Sequence, residues 1–162
     1  IDHIQLPGCT VTDFLGFGGE SYHIDARGNN VAIVAGGYDS DLALWKSNDN
    51  GSTWTRTTIF AFPMGPVYND SSTTGPNIID VDGDGLNDTI VVPASDVTVS
   101  IDNAGMAHIA CGGNLILDDD APGRIGIFFV DIGLLYWNES MPTWSSDISQ
   151  PNYIENGVIE AV

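Results

Sequence analysis

The sequence predicts an all-β protein, and three observations carry that expectation. Helical periodicity is absent along the chain. Short runs rich in Val, Ile, Thr and aromatic residues alternate with clusters of Gly, Asn, Asp and Ser. A strand–turn–strand pattern also occurs twice. Runs of this length and spacing suit a sandwich or a propeller.

In chain order, candidate strands lie at 21–25, 31–35, 42–47, 53–60, 78–80, 89–92, 97–101, 107–111, 125–130, 134–137 and 143–145. The segment 23–37 matches 100–113 with one residue inserted, and both read strand, Asp-x-x-Gly turn, strand, Gly-Gly. Gly28 and Gly105 are expected at positive φ, after Asp25 and Asp102 whose carboxylates bond the turn backbone. Further on, Leu42-Ala-Leu-Trp-Lys-Ser47 answers Leu134-Leu-Tyr-Trp-Asn-Glu-Ser140, and each is followed by Thr-Trp, at 53–54 and 143–144. Trp45 and Trp137 fall at equivalent positions and read as repeated core packing.

The predicted architecture is therefore β-propeller-like, in four-stranded antiparallel blades. Residues 1–20 end a preceding blade or form a linker, and 21–66 make one blade. Residues 67–95 are a connection, 96–146 a second blade with an insertion at 114–133, and 147–162 the start of a further repeat or a tail. Two blades do not close a ring, because each buries its faces only against neighbours. The chain is expected to be a fragment of a larger propeller.

Composition narrows the partners. The chain has 162 residues, 43% of them hydrophobic, and 22 acidic residues stand against four basic ones, a net charge of −18. Phosphate backbones are repelled, so nucleic acid is excluded. No apolar run approaches a membrane span, and no basic leader precedes an apolar core, so mature protein or an internal piece is expected. Cys9 and Cys111 allow either one disulfide or two separate buried thiols.

Ser47-Asn-Asp-Asn-Gly-Ser-Thr-Trp54 fits Ser-x-Asp-x-Gly-x-Thr-Trp, the Asp box. On these residues the sequence resembles the sialidase-like proteins with bacterial neuraminidase repeats. The resemblance implies a hairpin between the third and fourth strands of a blade, with a structural rather than catalytic role for Ser47, Asp49, Gly51, Thr53 and Trp54. Asp49 is expected to accept backbone N–H bonds, Gly51 to take positive φ, and Trp54 to pack beneath the turn.

Asp80-Val-Asp-Gly-Asp-Gly-Leu-Asn-Asp88 places carboxylates at positions 1, 3, 5 and 9 of a loop. Oxygens at alternate residues of a tight loop converge, and Asp80, Asp82, Asp84, Asp88 and the Leu86 carbonyl are the candidate ligands of one calcium ion. Position 12 is Val91, so the loop is not an EF-hand; it is similar to the strand–loop–strand calcium sites of FG-GAP and thrombospondin type 3 repeats. The acidic run at 118–120 reads as an exposed turn before a second cation site. His108 reads as a packed strand residue, and His3 and His23 show no partner.

A sialidase needs three arginines around a carboxylate, a Tyr–Glu nucleophile pair and an Asp acid; here Arg27 sits in a hairpin turn and Arg56 follows the Asp box on an outer strand, which leaves only Arg124 unplaced. No catalytic residue is assigned. The order of Asp-box blade, aspartate-rich loop and acidic insertion is also similar to large secreted repeat proteins of the Bacteroidetes, cargo of the type IX secretion system. The expected function is a secreted or cell-surface, calcium-stabilised module for adhesion or scaffolding. Its partners would be a surface glycan, a protein, or the remaining blades of the same protein. The alternative is part of a sialidase-like glycoside hydrolase whose catalytic residues lie outside this chain.

Overall fold

The structure, a computed structural model, describes residues 5–10, 21–37, 40–63, 83–84, 88–118, 125–128, 133–144 and 153–154. Among these there is no helix, and every strand ladder is antiparallel. The predicted strand at 78–80 lies outside the described residues.

Sheet one is a meander of β1 (Tyr22–Arg27), β2 (Asn30–Ala35), β3 (Leu42–Ser47) and β4 (Thr55–Phe60). Arg27 pairs with Asn30, which leaves Gly28 and Asn29 as a two-residue turn, with Gly28 at φ 61. Asp25 is therefore inside β1. It does not cap the turn as the Asp-x-x-Gly pattern suggested.

Sheet two is organised around one long strand, β7 (Ala107–Asp118). Along one edge run β5 (Ile90–Pro93) and then β6 (Thr98–Ile101). Along the other run β8 (Ile125–Phe128) and β9 (Leu134–Asn138), and β10 (Tyr153–Ile154) adds to β9. Pro93, which has no N–H to give, sits on an edge strand as it must. The inserted segment begins as the second half of β7 and returns as β8, so it is a hairpin grown from a core strand.

The fourth strand expected at 143–145 does not pair with β9, whose outer edge is taken by β10. Instead the Trp144 N–H donates to the Ile59 carbonyl at 2.6 Å, and Trp144 forms a parallel bridge to Phe60. The second Thr-Trp pair thus ties sheet two to the edge of sheet one.

Alternation along the strands decides which residues meet. In β2 and β3, Ala32, Val34, Leu42 and Leu44 turn toward sheet two and join Val99, Ile101, Ala107, Ile109, Cys111, Leu135 and Trp137 in one buried cluster. Ala35, Ala43 and Trp45 point the opposite way, into a second cluster with Leu6, Cys9 and Trp54. The Trp45 indole N–H donates to the Pro7 carbonyl at 2.7 Å, so the segment 5–10 covers that outer face.

The repeat-equivalent tryptophans therefore face the same direction. Trp45 looks toward the N-terminal segment, and Trp137 looks back toward sheet one. The units stack in the same sense, front to back, and not as mirror faces. No closed sheet is formed among the described residues.

The contact that fixes this stacking is polar. His23 and Asp25, two apart on β1, turn toward β6. The Val99 N–H donates to His23 Nδ1 at 3.1 Å and the Ile101 N–H to Asp25 Oδ2 at 2.7 Å. Ile101 is buried, so Asp25→Ala strands its amide. The expected loss is about 1–3 kcal/mol, with Asp25→Asn losing less because the amide oxygen still accepts. Urea unfolding of the two variants measures the difference.

Candidate functional site

The Asp box lies between β3 and β4, and the structure brings its five residues together. Ser47 is fully buried, and its hydroxyl accepts from the Gly51 N–H at 2.7 Å while donating to Asp49 Oδ1 at 2.8 Å. Asp49 Oδ1 also accepts the Thr53 N–H at 2.8 Å, and Oδ2 accepts the Thr53 hydroxyl at 2.7 Å. The turn passes through Asn50 at φ 57 and Gly51 at φ 85. A Cβ on Gly51 would lie 3.4 Å from the Trp54 ring, which sits beneath the turn and donates its indole N–H to the Gly51 carbonyl at 2.9 Å. The Asn50 N–H reaches the Asn29 carbonyl at 2.9 Å and joins this turn to the β1–β2 turn.

The side-chain bonds of Ser47, Asp49 and Thr53 thus close on the hairpin itself, which makes the box a staple of its own turn. The Thr53 N–H, helped by the hydroxyls of Thr53 and Ser47, holds the Asp49 carboxyl below its ordinary value of 3.8.

Asp102, in contrast to Asp25, does cap its own loop. It accepts the Ala104 and Met106 amides at 2.8 Å each, and the Met106 bond is the main cause of its lowered pKa. Its second oxygen lies 3.3 Å from His108 Nε2, and His108 Nδ1 lies 2.6 Å from the Tyr136 hydroxyl, which also accepts from Asn138 Nδ2 at 3.1 Å. This polar chain was not legible in the sequence, where His108 read as a packed residue. His23, read as unpartnered, accepts the β6 amide described above.

Lys46, the only lysine, lies on the inner side of β3. It pairs with Glu139 and donates to the Gly105 carbonyl at 2.6 Å, and Glu139 also accepts the Ala107 N–H at 2.7 Å. Arg27 donates to Asn103, and Arg56 pairs with Asp41 at 3.3 Å while lying 5.8 Å from the Trp45 ring centre. Arg124 lies outside the described residues, so the arrangement of Arg27 and Arg56 in separate structural contacts leaves no arginine clamp among the described ones.

Of the candidate calcium ligands, Asp80, Asp82 and Leu86 lie outside the described residues, as does the acidic run from 119. Asp84 and Asp88 are described. Among the described residues no three His, Cys, Asp or Glu side chains gather as a metal site. The described residues also contain no helix long and apolar enough to cross a membrane.

Cys9 and Cys111 are not bridged to each other. Cys9 packs in the outer cluster and Cys111 between the sheets, so sheet one separates them. Burial, with the charge of Asp96 added, pushes the Cys111 thiol up to about 12. Comparison with protein-family models, curated proteins and solved structures finds no match for this chain.

Two outcomes follow from these environments. A carboxylate with a lowered folded pKa stabilises fully above its unfolded value, and that contribution is lost as pH falls through the folded value. Asp49→Asn should therefore flatten the loss of thermal stability below about pH 4, and the double variant with Asp102→Asn should flatten it further, as followed by circular dichroism melts. In the native protein Cys111 should resist a thiol-specific reagent at pH 8 and react only on unfolding, as counted by mass spectrometry.

Proposed function

We propose that the chain is a secreted or cell-surface binding or scaffolding module, made of propeller-like blades and stabilised by calcium at the 80–88 loop. The observation that carries the reading is the same-sense stacking of two β units, in which equivalent tryptophans face the same way. Units related in this manner leave loops at the ends of their strands for partners, while the stack itself serves as a rigid frame.

The described side chains support a frame and not an active centre. Asp49, Lys46, Arg27, Arg56, Asp25 and Glu139 are each committed to contacts that hold turns or sheets in place. A surface glycan or a protein is the partner class that suits an acidic, loop-bearing frame; the calcium is assigned on the alternating carboxylates of the loop. Asp80, Asp82, Asp84 and Asp88 would hold the ion, which would neutralise carboxylates that otherwise repel one another.

Calcium titration tests the reading. Because the ion binds the folded loop, the melting temperature should rise with calcium, with stabilisation reaching about 2.7 kcal/mol at a hundred times the dissociation constant. A chelator should reverse it, and the paired substitution Asp82→Ala, Asp84→Ala should abolish the response. A melting curve indifferent to calcium and chelator overturns the calcium assignment.

A further inference from the structure

The two units meet through a front and a back, and each of these surfaces occurs a second time in the chain. The back of sheet two offers Val99 and Ile101, buried against sheet one, with their amides directed at His23 and Asp25. In the repeat, Tyr22 and Ile24 are the counterparts of Val99 and Ile101. Gly36 N–H donates to the Ser21 carbonyl, so Ser21 and Gly36 form a hydrogen-bonded pair and the amides of Tyr22 and Ile24, one and three residues on, point away from β2 off the sheet edge. Both side chains are 55% exposed, although their counterparts are 1% and 2% exposed. The segment 5–10 covers the same face only over Ala35, Ala43 and Trp45.

The front surface is also repeated. Sheet one meets sheet two with His23, Asp25, Val34, Leu42 and Leu44. On the far side of sheet two their counterparts are Ser100, Asp102, Ala110, Leu134 and Tyr136, which the register with Ile109, Cys111, Leu135 and Trp137 places on the face away from sheet one. Leu134 is exposed there. Ser100 and Asp102 stand where His23 and Asp25 do, with Asp102 already engaged by the amides of Ala104 and Met106 and by His108. Polar Tyr136 and His108 replace apolar residues of the front of sheet one, which makes this copy of the surface a wetter and weaker one.

We propose that the Tyr22–Ile24 face of one chain docks on the Leu134–Tyr136 face of a second copy, continuing across chains the stacking that joins the two sheets within one. The inference rests on the stacked-unit reading above and not on the metal. Such an interface is heterologous: two different surfaces meet, and the contact propagates into a ring or a filament unless one surface is blocked. With a net charge of −18 per chain, long-range repulsion opposes association and salt screens it.

The test is sedimentation velocity with multi-angle scattering on the full chain, in calcium, across concentration and at low and high salt. The wild-type mass should rise with concentration to at least twice that of one chain, more readily at high salt. Ile24→Glu and Leu134→Glu replace exposed side chains, so both should keep the wild-type melting curve and each alone should stay monomeric. An equimolar mixture should give a discrete one-to-one dimer, because each variant retains the surface the other lacks. A wild-type protein that stays monomeric at high salt overturns the proposal, as does self-association of Leu134→Glu alone or a mixture that stays monomeric. A calcium-dependent melting curve beside a monomeric wild type would sink this interface while leaving the stacked, calcium-stabilised module standing.

Discussion

The hydrogen bonds from the β6 amides to His23 and Asp25 are the constraint on which the rest of the molecule depends. A strand at the rim of a sheet carries a row of N–H groups that must find acceptors. A further strand would satisfy them but would merge the two sheets into one. Side chains two apart on a neighbouring sheet satisfy them and keep the sheets separate, at a spacing that side-chain length sets. Only at that spacing do Val99 and Ile101 reach the cluster containing Ala32, Val34 and Leu44. Lys46 adds a second tether, its aliphatic stem crossing the inner face and its ammonium ending on Glu139 and the Gly105 carbonyl.

Sheet two depends in turn on β7, the one strand that every other strand of that sheet except β10 touches. Its two flanks are each broken near the middle, between β5 and β6 on one side and between β8 and β9 on the other. At this level β7 carries Gly112, where a Cβ would meet Asp96 at 3.4 Å and Ala94 at 3.5 Å. The missing side chain lets the flanking strand step inward, and the Ala94 N–H bonds the Gly112 carbonyl at 2.8 Å across the break.

Much of this was legible in the sequence because its signals are local. Alternation gave the strands, and the Asp box specified its hairpin almost atom by atom, since Ser47, Asp49 and Thr53 bond partners at most four residues away. The features that were not legible are long-range. Asp25 and Asp102 occupy matching positions in the repeat, yet the first hairpin turns on two residues and keeps Asp25 in a strand, where its partner is 76 residues distant, whereas the second leaves 102–106 between its strands and Asp102 caps that loop. Trp144 likewise follows its repeat in type but not in place, because β10 takes the strand position beside β9. A polar residue at alternate positions on the inward side of a strand, such as His23 with Asp25, is the signal that would have revealed the tether.

The turns have a further consequence. The β1–β2 turn, the Asp box and the 102–106 loop all lie at the same end of the strands, where Asn50 bonds Asn29, Arg27 bonds Asn103 and Lys46 bonds Gly105. The long departures, from the end of β4 toward β5 and from the end of β7 toward β8, both leave from the opposite end. The first end is therefore a node, where turns of both sheets are bonded to one another. A substitution there disturbs several turns at once, so a change at that end is felt by both sheets together.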